Sequence, residues 1–268
     1  MQAVCLVGLG VILFASCAPG GPPSAAGAPV SNNLSASQKA AIGRKIWQNE
    51  CGGTVNGLTT WNAGEEFPSM GIGHFIWYPA GFNGRFKESW PQFVAFAKKQ
   101  GANPPSVALE RHSPWTSRAE FQRDFNSPRL TSLRKWLAAN VTLQTDFIIV
   151  RSRAALPKIL AAAPASERAR IDANYRKVAT TPQGTYALID YVNFKGEGIL
   201  ASERYKGQGW GLMQVLGGMK DVPAGAPAAA EFSASAKRVL ARRIANSPPA
   251  RGEKRWLEGW QNRCSTYA

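Results

Sequence analysis

The chain has 268 residues, of which 44% are hydrophobic and 18% charged, so its composition is that of a globular protein and not of a disordered or fibrous one. Its net charge of +15 lies entirely on residues 39–268, because no Lys, Arg, Asp or Glu precedes Lys39. A body with this charge suits a polyanionic partner, a class that includes nucleic acid, an anionic membrane and an anionic cell-wall polymer. Charge by itself does not choose among the three.

Residues 1–17 are predicted to form a signal peptide. The apolar run over residues 5–15 is too short for a spanning helix, and the five residues that end at Cys17 (LFASC) resemble the lipobox of bacterial lipoproteins. That resemblance implies lipidation of Cys17 and a place in the cell envelope, on the periplasmic face of a membrane. Ala18 then favours the outer membrane in a Gram-negative cell. A plain cleaved signal peptide or a mis-assigned start is the alternative.

Residues 18–37 are rich in Pro, Gly, Ala and Ser and carry no charge, which is typical of a flexible tether. The folded domain is therefore predicted over residues 38–268. It contains two cysteines, Cys51 and Cys264, and in an exported protein we expect these to form a disulfide bond. Two free thiols are the alternative.

The first predicted helix opens at Ser37, a plausible N-cap, and ends at Gly52-Gly53, because paired glycines stop a helix. Glu50 lies in its last turn. The helix carbonyls present negative potential there, so the sequence predicts a raised pKa for the Glu50 carboxyl. A carboxyl that stays protonated can serve as a general acid.

Two strand-like runs follow at residues 58–61 and 67–78, and they predict a hairpin whose turn contains Asn62, Glu65 and Glu66. An acid at a helix end that faces such a hairpin is one way to build a site for cleaving a glycosidic bond. That chemistry needs a protonated carboxyl at the leaving oxygen and a second group that directs water or holds charge.

Beyond the hairpin the pattern is mainly helical. Helices are predicted at residues 90–100, 118–125, 130–139, 141–160, 166–178, 186–196 and 232–246, and a loop at residues 223–230. The helix at 186–196 has a buried stripe that includes Tyr191, and Glu197 follows its glycine stop. No cysteine or histidine cluster has metal-ligand spacing, so no metal and no cofactor is expected.

The segment at residues 46–75 resembles the phage-type lysozymes, in which a catalytic Glu precedes a hairpin ending in a Thr-Ile-Gly-x-Gly-His pattern. Here that pattern reads Ser69-Met70-Gly71-Ile72-Gly73-His74. Residues 186–198 are similar to the family's cleft-wall helix, and residues 256–263 to its closing segment. Residues 85–180 have no counterpart, and they form a longer insertion than is usual in that family.

The resemblance implies an α+β fold with a small hairpin lobe and a larger helical lobe around a cleft. It further implies hydrolysis of peptidoglycan glycan strands. Glu50 would be the general acid, and Ser69 would position the attacking water. The family's second carboxyl is an Asp in the hairpin turn. Here the position falls on Ala63, or on Asn62 if one residue is inserted, so Glu65 and Glu66 are candidates for it. The predicted substrate-binding residues are His74, Tyr191, Phe194 and Gln214.

Glu197 is a second candidate acid, because residues 211–214 (GLMQ) resemble a segment of lytic transglycosylases whose catalytic Glu lies a similar distance upstream. A catalytically silent peptidoglycan-binding or scaffold lipoprotein is a further alternative, motivated by Asn62 in place of the expected Asp. Nucleic-acid binding rests on charge alone, and the lipoprotein-like start argues against it. The oligomeric state is left open.

Overall fold

The computed structural model describes residues 34–84 and 86–268. The predicted signal peptide, the lipidation site Cys17 and most of the predicted tether lie outside these residues. The described part is mainly helical and carries two small antiparallel sheets, as expected for an α+β protein. Its helices are α1 (Ala36–Cys51), α2 (Trp90–Lys99), α3 (Arg118–Arg123), α4 (Pro128–Ala139), α5 (Val141–Arg153), α6 (Ala155–Ala162), α7 (Ala165–Val178), α8 (Pro182–Lys195), α9 (Leu212–Gly217), α10 (Ala226–Asn246) and α11 (Leu257–Ser265).

Short 3-10 turns join several of these helices, at Asn56–Leu58, Ser106–Leu109, Pro249–Arg251 and Glu253–Trp256. The strands are β1 (Thr59–Thr60), β2 (Ser69–Met70), β3 (Phe75–Ile76), β4 (Arg204–Tyr205) and β5 (Gln208–Gly209). The first three form an antiparallel meander in which Ser69 lies opposite both Thr60 and Ile76, and the last two form a separate hairpin.

The predicted two-stranded hairpin is in fact three-stranded. Residues 71–74 form a turn instead of continuing the second strand, because Gly71 and His74 adopt left-handed backbone angles (φ 71° and 45°) that a strand does not allow. The chain therefore reverses between β2 and β3. This turn brings His74 back toward the end of α1.

Helix α1 begins earlier than predicted. Ser35, not Ser37, is the N-cap, and its hydroxyl accepts a hydrogen bond from the Gln38 amide while the Gln38 side chain accepts one from the Ser35 amide. This reciprocal pair satisfies two amides that the first helical turn leaves free. The folded domain thus begins before residue 38. At the other end the helix stops at Gly52 (φ 59°), as predicted, with Glu50 in its last turn.

Two other boundaries differ from the sequence prediction. The helix expected over residues 141–160 is divided at Ala154 into α5 and α6, and Pro157, which has no amide hydrogen, lies in the first turn of α6. The loop expected at residues 223–230 is partly helical, because α10 starts at Ala226 with Pro227 in its first turn, where proline is tolerated. The alanines that follow favour helix.

Helix α8 lies at the centre of the helical core, in contact with α1, α5, α7, α9 and α10, while α10 also packs on α11. Most of its residues from Gly184 to Val192 are buried. One end of α8 therefore meets the end of α1, the turn after β2 and the chain's last helix. Within the described residues no helix is both long enough and apolar enough to cross a membrane.

Candidate functional site

The candidate site is centred on the Glu50 carboxylate, whose side chain is only 14% exposed. One oxygen lies 2.8 Å from Nη1 of Arg263 and accepts a hydrogen bond of 3.4 Å from Nδ2 of Asn193. The other lies 3.5 Å from Nδ1 of His74. Three separate elements, α8, α11 and the turn before β3, thus converge on the end of α1.

Arg263 is held in place by a second carboxylate. Its Nε and Nη2 donate to the two oxygens of Asp190, each at 2.8 Å, and the Tyr267 hydroxyl donates to Asp190 at 2.6 Å. The guanidinium carbon lies 4.0 Å from the centre of the Phe194 ring. Arg263 and Asp190 are both buried, so each charge depends on this fixed geometry for its compensation.

The pKa of Glu50 is lowered, which overturns the raised value expected from its helix-end position. Burial acts to raise it, but the positive charge of Arg263 and the neighbouring His74 outweigh that effect. Glu50 is therefore an ionised carboxylate at neutral pH. Burial lowers the pKa of His74, so His74 is mainly the neutral imidazole there.

The hairpin turn places Glu65 near Glu50. Asn62 Nδ2 donates to Glu65 Oε2 at 3.1 Å, and the Trp61 indole donates to the Glu65 carbonyl at 2.8 Å. The pKa of Glu65 is raised, first by burial and then by the negative charge of Glu50, while the Asn62 hydrogen bond opposes the shift. The pKa values of the two carboxyls are thus shifted in opposite directions, that of Glu50 downward mainly by Arg263 and that of Glu65 upward mainly by burial.

Glu65 also borders a cleft of about 520 Å³. The walls of this cleft include Trp61, Glu65, Glu66, Phe82, Ser117 and Arg118. Arg118 fixes one wall against the hairpin, since its Nε donates to the Trp61 carbonyl at 2.9 Å. The segment before α3, part of the insertion that matched no known pattern, therefore forms one side of this space. Glu66 is exposed on its rim.

The turn that carries His74 is docked on two helices. The Ile72 amide donates to Oε1 of the buried Gln144 at 2.9 Å. A Cβ at Gly73 would lie 2.5 Å from the Phe75 ring and 3.0 Å from Oδ1 of Asn193. A side chain at position 73 would therefore collide with its neighbours, so this position requires glycine. Asn193 Oδ1 is buried and has no hydrogen-bond partner among the described residues, which is uncommon and marks the space beside Glu50.

Several predicted site residues lie elsewhere. Glu197 pairs with Lys158 of α6 at 2.7 Å, and its charge also acts on Arg151 of α5. Tyr191 is fully buried, and its hydroxyl donates to the Trp210 carbonyl at 2.8 Å, so it cannot line a substrate cleft. Its stripe on α8 packs into the core.

Gln214 is a structural clamp and not an exposed binding residue. It accepts from the Gly211 amide and donates to the Gly198 carbonyl, both at 3.0 Å. Ser69 is buried at 4% exposure in the central strand of the meander. Phe194, in contrast, lies in the site, beneath Arg263.

The predicted disulfide is wrong. Cys51 and Cys264 are buried free thiols, and burial raises the pKa of each to about 12. Cys51 Sγ instead lies 3.6 Å from the Gly71 carbonyl oxygen. The adjacent residues, Glu50 and Arg263, are joined by their ion pair, so the end of the chain is fastened beside α1 by charge and not by a covalent bond.

The sequence did not single out Asp190, Asn193 or Arg263. Asp190 had a signal, because it is a lone acid within the apolar stretch of α8, and Arg263 lies in the closing segment that the family resemblance had noted.

Across residues 34–84 and 86–268, no three His, Cys, Asp or Glu side chains lie close enough together to hold a metal ion. Comparison with protein-family models, curated proteins and solved structures gives no match to this chain.

Proposed function

We propose that this protein is a lysozyme-like hydrolase of peptidoglycan glycan strands, acting in the cell envelope. The observation that carries the proposal is a pair of carboxyls with opposite pKa shifts, Glu50 at the end of α1 with a lowered pKa and Glu65 in the hairpin turn with a raised one. Cleavage of a glycosidic bond needs one carboxyl that can give a proton and one that is ionised. Opposed environments supply both at the same pH.

The opposite pKa shifts support one division of roles within the proposal. Glu65, half-buried beside the cleft, is the proton donor to the leaving oxygen, and Asn62 orients its carboxyl. Glu50 is the ionised carboxylate that stabilises developing positive charge on the sugar or directs water, with Arg263 and His74 holding it in place. The sequence had suggested Glu50 as the general acid. In the proposal this role passes to Glu65, because the Arg263 guanidinium favours the charged form of Glu50.

The wider arrangement fits the same proposal. The small meander and the larger helical body correspond to the two lobes expected of a lysozyme-like fold, and the end of α8 corresponds to the wall helix. The basic body would hold an anionic wall polymer by electrostatic attraction. Lipidation at Cys17 would keep the enzyme at the membrane, next to its substrate. A transglycosylase centred on Glu197 is not favoured, because the lining of the cleft includes Glu65 and does not include Glu197.

The test is release of muropeptides from purified sacculi by the full-length protein. We expect release with a reducing sugar end, as hydrolysis gives, and a loss of roughly 100-fold or more for Glu65→Gln and for Glu50→Gln. Glu197→Gln serves as the matched control and is expected to keep wild-type activity. Thermal melting of each variant separates lost chemistry from lost folding.

Three results would contradict the proposal. If the wild-type protein releases no muropeptides while a control muramidase does, the proposed hydrolase activity is refuted. A catalytically inactive peptidoglycan-binding protein is then favoured. Products ending in anhydro sugars would indicate a transglycosylase. Activity that is lost in Glu197→Gln and kept in Glu65→Gln would move the site to the other acid.

A further inference from the structure

Two tryptophans form a surface at the start of α11. Trp256 and Trp260 are four residues apart and therefore share one side of the helix. Their ring centres are 5.9 Å apart, with 36° between the planes. Trp256 is 37% exposed, more than any other tryptophan in the described part of the chain. Large exposed aromatic rings are uncommon unless they contact a partner.

Two cations flank these rings. Lys195 Nζ lies 3.6 Å from the centre of the Trp260 ring and 3.8 Å from that of Phe194. The guanidinium carbon of Arg255 lies 4.7 Å from the Trp256 ring. We call Lys195, Arg255, Trp256 and Trp260 the Trp256 platform. No described carboxylate lies within ion-pair distance of Arg255, which is exposed, so this cation is available to an anion.

The positive charges of Arg243 and Arg263 act on Lys195, and Glu50 and Glu253 offset only part of their effect. Burial, together with the nearby charges of Arg243 and Arg263, lowers the pKa of Lys195 well below its ordinary value. An anionic group bound here would relieve that repulsion between like charges. The platform is therefore chemically matched to a ligand that combines an apolar face with a negative charge.

The platform is continuous with the candidate site. The Phe194 ring lies 6.5 Å from that of Trp260, and Arg263 lies over the same Phe194 ring. At the other side a Cβ built on Gly64 would lie 3.7 Å from the Arg255 guanidinium, and Gly64 directly precedes Glu65. A polymer cleaved between Glu50 and Glu65 would thus extend onto these residues.

We propose that the Trp256 platform is a binding subsite for one carboxylate-bearing sugar of the glycan strand. The apolar face of the sugar ring lies on the exposed indole, and the carboxylate pairs with Arg255. This inference rests on the proposed function, because the glycan strand is the substrate assigned there. It adds the element that selects charged, wall-type glycans over neutral ones.

The experiment measures binding of the full-length protein to purified sacculi by sedimentation in the cold, separately from muropeptide release. We expect Trp256→Ala to weaken binding roughly five- to tenfold, the range for one aromatic contact. Arg255→Gln should weaken binding at low salt and reduce its salt dependence. Leu109→Ala and Lys99→Gln, which remove an exposed apolar and an exposed basic side chain elsewhere, are the matched controls.

A neutral chitin oligosaccharide serves as the second probe, and we expect the wild-type protein to bind it more weakly than sacculi. Sacculus binding unchanged in both platform variants would overturn the inference even if muropeptide release is normal. Binding that depends on Trp256 without any release would support the platform while refuting the proposed hydrolysis. Two results together would identify a nucleic-acid surface and overturn the inference. Duplex DNA would compete with sacculi for the wild-type protein, and Trp256→Ala would weaken DNA binding as much as sacculus binding.

Discussion

Arg263 determines the charge state of Glu50. A carboxyl at the end of a helix and largely out of water should be protonated more easily than a free one, yet the guanidinium 2.8 Å away reverses the sign of the shift. Asp190 in turn fixes that guanidinium with two hydrogen bonds. Arg263 thus pairs with two carboxylates, Asp190 and Glu50, and this arrangement stabilises Glu50 as an anion.

Replacement of Asp190 by Asn should be strongly destabilising. It keeps the shape of the side chain but leaves Arg263 without its bidentate partner, and breaking a buried ion pair costs about 3–5 kcal/mol. Urea unfolding followed by circular dichroism measures the effect. Asp146→Asn is the matched control, because Asp146 pairs with Lys39 at a surface where both side chains are about one-third exposed. We expect the control to cost about 1 kcal/mol or less, and equal costs in the two variants would contradict the account.

The position of Glu50 could be predicted from the sequence because a helix stop is a local signal. Gly52-Gly53 ends α1, and the last turn follows directly. Its pKa could not be predicted, since the residue that controls it is 213 positions further along the chain (263 − 50). Glu65 was one of several candidate acids, and only packing shows that it is half-buried while Glu66 is exposed.

At the scale of the element, the turn at residues 71–74 positions the site. It converts what reads as one long strand into two, and it carries His74 to Glu50. The turn is held on α5 by the hydrogen bond from the Ile72 amide to Gln144 and lies against Asn193 of α8. A Cβ at Gly71 would lie 2.3 Å from the Gln144 oxygen, so this close approach requires glycine.

Gly71→Ala should therefore destabilise the protein more than the same change at Gly81. Both glycines have left-handed angles, φ 71° and 77°, so both variants share a backbone cost of about 1–2 kcal/mol. A Cβ at Gly81 meets open space, whereas one at Gly71 meets Gln144 and Phe75, and overpacking adds about 1–3 kcal/mol. Urea unfolding of the two variants isolates that difference. Equal losses of stability would show that the turn is not tightly docked.

Element boundaries show where sequence patterns are insufficient. Alanine-rich residues after Pro227 were read as a loop because proline and glycine punctuate the segment, yet helix propensity prevailed and α10 begins at Ala226. The pattern over residues 141–160 was continuous, but Pro157 divides it. In both cases the outcome depends on where the proline falls relative to a helix start. That position is fixed by tertiary packing.

At the scale of the whole molecule, the chain has a net charge of +15, and some of its charged residues form buried ion pairs. Arg243 and Glu253 form one of them, with Nε–Oε2 and Nη2–Oε1 distances of 2.8 and 2.9 Å. Arg243, together with the Tyr205 hydroxyl, lowers the pKa of Glu253 to about 2 even though burial opposes the shift. This pair fastens the segment that carries Arg255 and Trp256 to α10.

The general class of the fold could be predicted from helical periodicity, because it depends on many residues at once. The assembly of the site could not, since Glu50, Glu65, Asn193 and Arg263 come from four separate segments that meet only after packing. The predicted pairing of Cys51 with Cys264 illustrates the limit. The ends of α1 and α11 do approach each other, but the thiols face different neighbours and the link is the adjacent ion pair.

The pH dependence of muropeptide release from sacculi tests the central claim most directly. Glu50 must be ionised, and its pKa lies below the ordinary value of 4.5, so activity should fall only as the pH drops beneath that value. Glu65 must be protonated, and its pKa lies above 4.5, so activity should fall again as the pH rises through that higher pKa. We expect a bell-shaped profile with its maximum between the two pKa values, and a wild-type profile in the Glu197→Gln control. No release at any pH, or a rate that rises steadily toward alkaline pH, would contradict the account.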